Sequence, residues 1–300
     1  MALTLTYHGD FSRVRIEATG LPGADPSWGD AARIWPTWDA LAADNPTWGD
    51  LADRFTNGAV LRSTDTGRTW QSVRGADRIA LAGGVRCNDF EFTPGVENRY
   101  RIVDELGRPL AGAAITPELD AVWLKCPVLP FLNLPVDVLT WGTVTRAARA
   151  GVFEVVGRAE PVVVTAPRSS REWTLTLVTD DLRRDPAADA EAQADRIEAA
   201  LAPGEVMLLH VPAGWPVPGG YVHIGDAVRD LQDGHVQGPR IFELPCRTAA
   251  APAPELPGAQ FTWAGAARAW TTWAALAADN GTWADVADRF GVPEDLEPGR

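Results

Sequence analysis

EWTLTLVTDDLRRDPAADAEAQADRIEAALAPGEVMLLHVP, Glu172 to Pro212, changes its hydrophobic period twice. EWTLTLVT (172–179) alternates polar and apolar residues, the mark of a half-buried strand. In the stretch that follows, Asp185 suits a helix N-cap, Pro186 the first helical position, and Gly204 the residue after the end. Ile197 and Leu201 fall four apart and face one side, which predicts a helix over about 186–202 lying on a sheet. EVMLLHVP then resumes strand character.

The flanks of this unit are β-like. GVFEVV (151–156) and PVVVT (161–165) precede it; GGYVHIGDAVRDL and PRIFELPCRTA follow it. Further upstream, VWLKCPVLPFLNLPV (122–136) is apolar and punctuated by proline, a buried extended arm and not a helix. Residues 121–249 are therefore expected to form a β-barrel or sandwich domain with one crossover helix. TAAAPAPELPGAQ closes it, and its residues 250–260 read as an extended Pro/Ala linker.

Residues 1–120 carry about seven short strand-like segments, among them LTLTY (3–7), SRVRIEA (12–18), AVLRST (59–64) and ENRYRIVDE (97–105). Gly67 supplies the turn of a hairpin in STDTGRTWQSV. The count is that of an immunoglobulin-like sandwich. FTPGVENRYRI resembles the corner before strand F of fibronectin type III domains, with Tyr100 in the place of the corner tyrosine. The fold class expected is mainly β: a fibronectin-III/Ig-like sandwich, then the barrel-like domain, plus two helical cassettes rich in tryptophan.

The cassettes are near-copies. From Trp28 to Phe55 the chain matches Trp263 to Phe290 at 20 of 28 positions, a duplication and not a coincidence of composition. Ser/Thr-Trp recurs every ten residues in each, so each is three decapeptides, read as helical turns capped by the hydroxyl and stopped at LAADNP or LAADNG. The first is an insertion at 24–57 between the second and third strands of the sandwich; the second fills 261–300. Helices this short are marginal alone, and eight tryptophans left in water are an aggregation hazard. Trp28, Trp35, Trp38, Trp48, Trp263, Trp270, Trp273 and Trp283 are accordingly expected to be protein-docking residues. The other outcomes are a cassette folded on itself and rings stacked on sugars. Two copies of one motif would add avidity.

A net charge of −13 argues against nucleic-acid binding and against docking on an anionic membrane. No apolar run of about 18 residues is present, so no membrane-spanning helix is expected, and the first twenty residues lack the pattern of a signal peptide. Cys87, Cys126 and Cys246 share no metal-ligand spacing and are expected as buried free thiols. His8, His210, His223 and His235 fall in no zinc motif. Ser169 and Ser170 lie in no nucleophile elbow, and Asp180 and Asp181 read as solvated loop or helix-start groups. No catalytic residue, metal or cofactor is expected.

TLTYHGDFSRVRIEATGLP, DFEFTPGVENRYRI, ITPELDAVWLKCPVLPFLN, RAGVFEVVGRAEPVVVT and EVMLLHVPAGWPVPGGYVHIGD, in that order, resemble minor tail proteins of tailed bacteriophages that infect high-GC Gram-positive bacteria. The closing TWADVADRF segment (282–290) resembles the C-terminal tails of the same proteins; the inserted first cassette departs from them. The resemblance implies a non-enzymatic virion component of the tail tip or baseplate, assembled in the host cytoplasm. It also implies a second domain similar to distal-tail and tail-tube folds. Partners implied are distal tail, hub or tail-tube subunits and further copies of the chain in a ring, trimer or hexamer. The alternative is a receptor-recognition protein whose tryptophans stack on cell-wall sugar.

Overall fold

The computed structural model describes residues 2–19, 21, 37–44, 57–81, 84–154, 156–179, 190–231, 239–253, 272 and 274. Strands β1 (Ala2–His8) and β2 (Arg13–Thr19) form an antiparallel hairpin, and β6 (Val85–Asp89) pairs with the other edge of β2. A second sheet runs in the order β4 (Gln71–Ser72), β3 (Asn57–Ser63), β7 (Asn98–Asp104), β8 (Pro109–Ile115), with β5 (Ile79–Ala80) also on β3. Period-two alternation turns Val14, Ile16 and Ala18 of one sheet and Val60, Tyr100 and Ile102 of the other into a single apolar core. VRCND, which forms β6, was not legible as a strand because its third inward residue is Asp89, a carboxylate.

The turn between β3 and β4 follows the expected chemistry. Gly67 has φ +91°, where a β-carbon is strained. The Asp65 carboxylate accepts from the Thr69 hydroxyl (2.6 Å) and from the backbone N–H of Thr69 and Arg68. These bonds, those of Thr69 first, hold the Asp65 carboxyl well below the usual carboxylate range.

Between β2 and β3 the chain makes its inserted excursion. The described part is 37–44, with helix α1 (Trp38–Asp44). Thr37 Oγ1 accepts the N–H of Ala40 at 3.2 Å, an N-cap at the start of one decapeptide.

The remaining strands are β9 (Val122–Lys125), β10 (Leu134–Trp141), β11 (Arg149–Phe153), β12 (Val162–Ala166), β13 (Glu172–Val178), β14 (Met207–His210), β15 (Gly220–Ile224), β16 (Val228–Leu231) and β17 (Arg240–Thr248). Six of them close on themselves: β13-β10-β9-β14-β15-β17, with β17 pairing back to β13. This is a six-stranded barrel, with β16 appended to β17. The apolar arm read from the sequence supplies β9, in the middle of that wall. Helix α2 (Ala190–Leu201) sets Ala194, Ile197 and Ala200 into the barrel core, and Gly204 follows it at φ +67°. Arg229 on β16 and Arg240 on β17 both bond the Glu191 carboxylate, fixing the helix to the barrel.

β9 belongs to two cores at once. Val122 and Leu124 face the barrel interior, whereas Ala121 and Trp123 belong to the core of the first two sheets. A strand has two faces and here each is buried, which accounts for the unbroken apolar run VWL.

Candidate functional site

Lys125, the chain's one lysine, ends β9 on the face shared with Trp123. Its ammonium nitrogen donates to the carbonyls of Ser12 (2.7 Å) and Phe90 (2.8 Å) and lies 4.9 Å from the centre of the Phe92 ring. Burial pushes this amine well below its ordinary value. His210, paired in register with Trp123, meets Phe92 edge-on at 4.6 Å. Burial and then the neighbouring Lys125 push the imidazole well below its usual range.

Next to this lies a carboxylate network. Arg62 grips both oxygens of Asp89 (2.9 and 2.7 Å), the Tyr100 hydroxyl donates to Asp89 (2.8 Å), and so does the N–H of Glu91 (2.8 Å). Tyr100, expected as a corner tyrosine, thus spends its hydroxyl on a side chain of β6. Glu91 in turn receives Arg74 from its own unit and the Tyr221 hydroxyl from β15. Arg74 also donates to the carbonyls of Pro252 (3.1 Å) and Ala253 (2.7 Å), which pins the start of the Pro/Ala segment. These contacts join the two β units; a buried, hydrogen-bonded set of this kind positions elements and performs no chemistry by itself.

The cysteines, histidines, serines and aspartates singled out in the sequence lie apart or outside the described residues. Cys87, Cys126 and Cys246 are buried free thiols, and burial pushes Cys246 up to about 12. Ser170 accepts from Arg247 (2.7 Å). His8 and His223 lie on separate strands, and His235, Asp180 and Asp181 fall outside the described residues. Among the described residues no three of His, Cys, Asp and Glu converge to hold a metal ion, and no helix is long and apolar enough to cross a membrane.

Of the eight tryptophans expected to dock, Trp38 opens helix α1, and Trp28, Trp35, Trp48, Trp263, Trp270, Trp273 and Trp283 lie outside the described residues. A feature that sequence reading missed is the two-stranded ribbon of β11 and β12, inserted between β10 and β13. Val152, Phe153, Val156, Val163 and Val164 are each more than half exposed, with Leu139, Trp141 and Val144 exposed at its root. Both of its outer edges are unpaired among the described residues. GVFEVV and PVVVT do read as strands, but apolar runs ordinarily signal burial, and periodicity does not say where a strand goes in space.

No protein family and no curated protein matches the chain. Among solved structures it is similar to the crystal structure of SPP1 Dit (gp 19.1), described as a paradigm of the hub adsorption apparatus in phages that infect Gram-positive bacteria. The identity is 14%, the match covers 38% of this chain and 44% of that chain, and the TM-score is 0.27. The likeness to this tail-hub protein is weak and spans less than half of either chain.

Proposed function

We propose that the chain is a structural protein of a phage tail tip or baseplate that works by docking to other tail proteins and to copies of itself. The observation that carries this reading is the ribbon: a two-stranded sheet, marginal alone in water, that holds valines and a phenylalanine out in solvent. Surfaces of that kind mark association sites. The ordered resemblance of TLTYHGDF through YVHIGD to minor tail proteins supports it independently. In this reading the β1–β8 unit is a fibronectin-III-like sandwich that displays the first cassette from the loop between β2 and β3. The second cassette hangs from the segment pinned by Arg74, and the eight tryptophans bury against neighbouring subunits.

Immunogold labelling of virions that carry this chain tests the assignment directly: label at the tail tip is expected, and label confined to the capsid ends it. Mass photometry with tryptophan fluorescence, comparing the full chain with a truncation after Pro257, tests the cassettes. Defined oligomers with blue-shifted emission that fall apart on truncation are expected. Unchanged assembly of a variant with all eight tryptophans replaced by alanine would remove them from the docking role. Red-shifted emission together with binding on a glycan array would support receptor recognition instead.

A further inference from the structure

Four neighbouring strands of the barrel wall, β10, β13, β17 and β15, carry a row of low residues across their outer face. Gly142, just past β10, donates its N–H to the Thr174 carbonyl (2.7 Å). Thr174 stands in register with Pro245, and Gly225, just past β15, donates to the Pro245 carbonyl (2.8 Å). The alternate residues Trp173, Leu175, Leu244 and Cys246 fill the barrel core, so this row faces outward.

The next row along the strands is taller and polar. Thr145 pairs with Glu172, Glu172 stands opposite Arg247, and Arg247 opposite His223. Gly142 faces Thr174 while Thr145 faces Glu172, so one extra residue is fitted between them, a β-bulge. The bulge places Thr143 on the rim. The two rows line a trough of about 500 Å³, within the range of roughly 300–1,000 Å³ found for small-molecule sites.

The backbone does not require glycine at 142 or 225, since neither has a positive φ. A β-carbon on Gly142 would stand 3.6 Å from the Thr174 carbonyl oxygen, and one on Gly225 would stand 3.7 Å from Pro245. A side chain fits at either place without a clash, and it would fill the trough. The two glycines keep the floor open.

The chemistry of the lining narrows the occupant. Glu172 and Arg247 form an ion pair at 3.2 Å with side chains 49% and 55% exposed, so the two charges balance and the pair itself is weak. A balanced site does not select a phosphate or another anion. Among the described residues no three metal-ligating groups converge, so a cation is not selected either. The N–H groups of Gly142, Thr145 and Gly225 are already bonded within the sheet, so a peptide cannot add here as a strand. What the trough offers is a flat floor beside a carboxylate, a guanidinium, an imidazole and threonine hydroxyls, a mixture of acceptors and donors. That set complements a neutral ring with a C–H face and a rim of hydroxyls.

We propose that this trough binds a neutral pyranose sugar, with the ring flat on Gly142, Thr174, Pro245 and Gly225 and its hydroxyls bonded to Glu172, Arg247 and His223. The site is separate from the tryptophan cassettes, and it goes beyond the docking reading without resting on it.

The test is saturation-transfer NMR and titration calorimetry of the full chain with glucose, galactose, mannose and N-acetylglucosamine, with inorganic phosphate as the charged control. Binding of at least one sugar and none of phosphate is expected. Gly142→Leu fills the floor and Glu172→Gln removes the charged acceptor. Each is expected to weaken the bound sugar by about tenfold or more, with a thermal midpoint close to that of wild type because both positions lie on the surface. If Gly142→Leu fails to fold, Glu172→Gln carries the test. A tetrasaccharide of the bound unit that binds about tenfold more tightly than the single sugar identifies a polymer as the source; equal affinity identifies a free sugar. Absence of binding by all four sugars, undiminished binding in both variants, or binding of phosphate in place of sugar overturns the proposal. Sugar binding lost on replacing the eight tryptophans and kept in Gly142→Leu also overturns it, and places the sugar on the cassettes. Tail-tip labelling is independent of each of these outcomes, so the assembly reading stands or falls separately.

Discussion

Lys125 Nζ lies 2.7 Å from the carbonyl oxygen of Ser12, 113 residues earlier in the chain. The same ammonium satisfies Phe90, so one side chain from the barrel wall caps two backbone acceptors of the first β unit. Lys125→Met keeps the apolar stem and removes both donors. Each buried carbonyl left without a partner costs about 1–3 kcal/mol, so a loss of about 2–5 kcal/mol is expected in urea unfolding. In native protein Lys125 also resists amine acylation and reacts only on unfolding; rapid native labelling by mass spectrometry contradicts the burial.

His210 and Lys125 make stability depend on pH in one direction. Both are bases whose folded pKa lies below the unfolded value. For His210 the stabilisation is full above the unfolded pKa of about 6.5 and is lost as pH falls below it, because the unfolded chain takes up a proton that the folded chain refuses. For Lys125 stability rises with pH up to about 10.5, the value of the unfolded amine. Denaturation midpoints are therefore expected to fall from pH 7.5 to pH 5. His210→Leu should flatten this limb by up to one proton, about 1.4 kcal/mol per pH unit. An unchanged slope in the variant assigns the effect to other groups.

Asp89 receives two bonds from Arg62, one from Tyr100 and one from the Glu91 backbone. The side chains of Arg62 and Asp89 are 13% and 2% exposed, so the guanidinium has little water to fall back on. Asp89→Asn preserves shape and removes the charge. The expected cost is about 3–5 kcal/mol, that of stranding a buried cation, read as a drop in thermal midpoint. A loss under about 1 kcal/mol would class the pair with surface ion pairs.

Arg74 ties Glu91 to the carbonyls of Pro252 and Ala253. Arg74→Ala leaves Glu91 bonded to Tyr221 but frees the segment after β17. Limited proteolysis around residues 249–260 is expected to speed up at least several-fold with little change in the unfolding midpoint, since local opening and global unfolding are separate events. Equal cutting rates in the two proteins would show that the clamp does not restrain the segment.

Much of the β architecture is readable from alternation. LTLTY, SRVRIEA and EWTLTLVT each have one face toward a core and one toward solvent, and each forms the expected strand. The turn at Gly67 and the helix carrying Ile197 rest on local rules, backbone conformation and i,i+4 spacing, and these too were legible. Reading stopped where burial has a non-local cause. VWLKCPVLPFLNLPV was apolar for a reason the sequence did not disclose: β9 is packed on both faces. Val152, Phe153 and Val162 to Val164 are as apolar as any core strand and stand in solvent. Asp89 hid β6, because a carboxylate in an inward position is permitted only by Arg62 and Tyr100 arriving from other strands.

The sequence by itself determined the mainly β class, the positions of strands, turn and helix, the charge balance and the duplicated tryptophan cassette. These depend on period, conformational preference and composition, which act over a few residues. Only the tertiary structure decided that six strands close into a barrel, that β9 is shared between two cores, that the one lysine seals their junction, and that the β11–β12 ribbon, among the described residues, holds its apolar side chains in solvent. Those outcomes depend on which residues far apart in the chain meet, and hydrophobic periodicity records that a face is apolar without recording what will cover it.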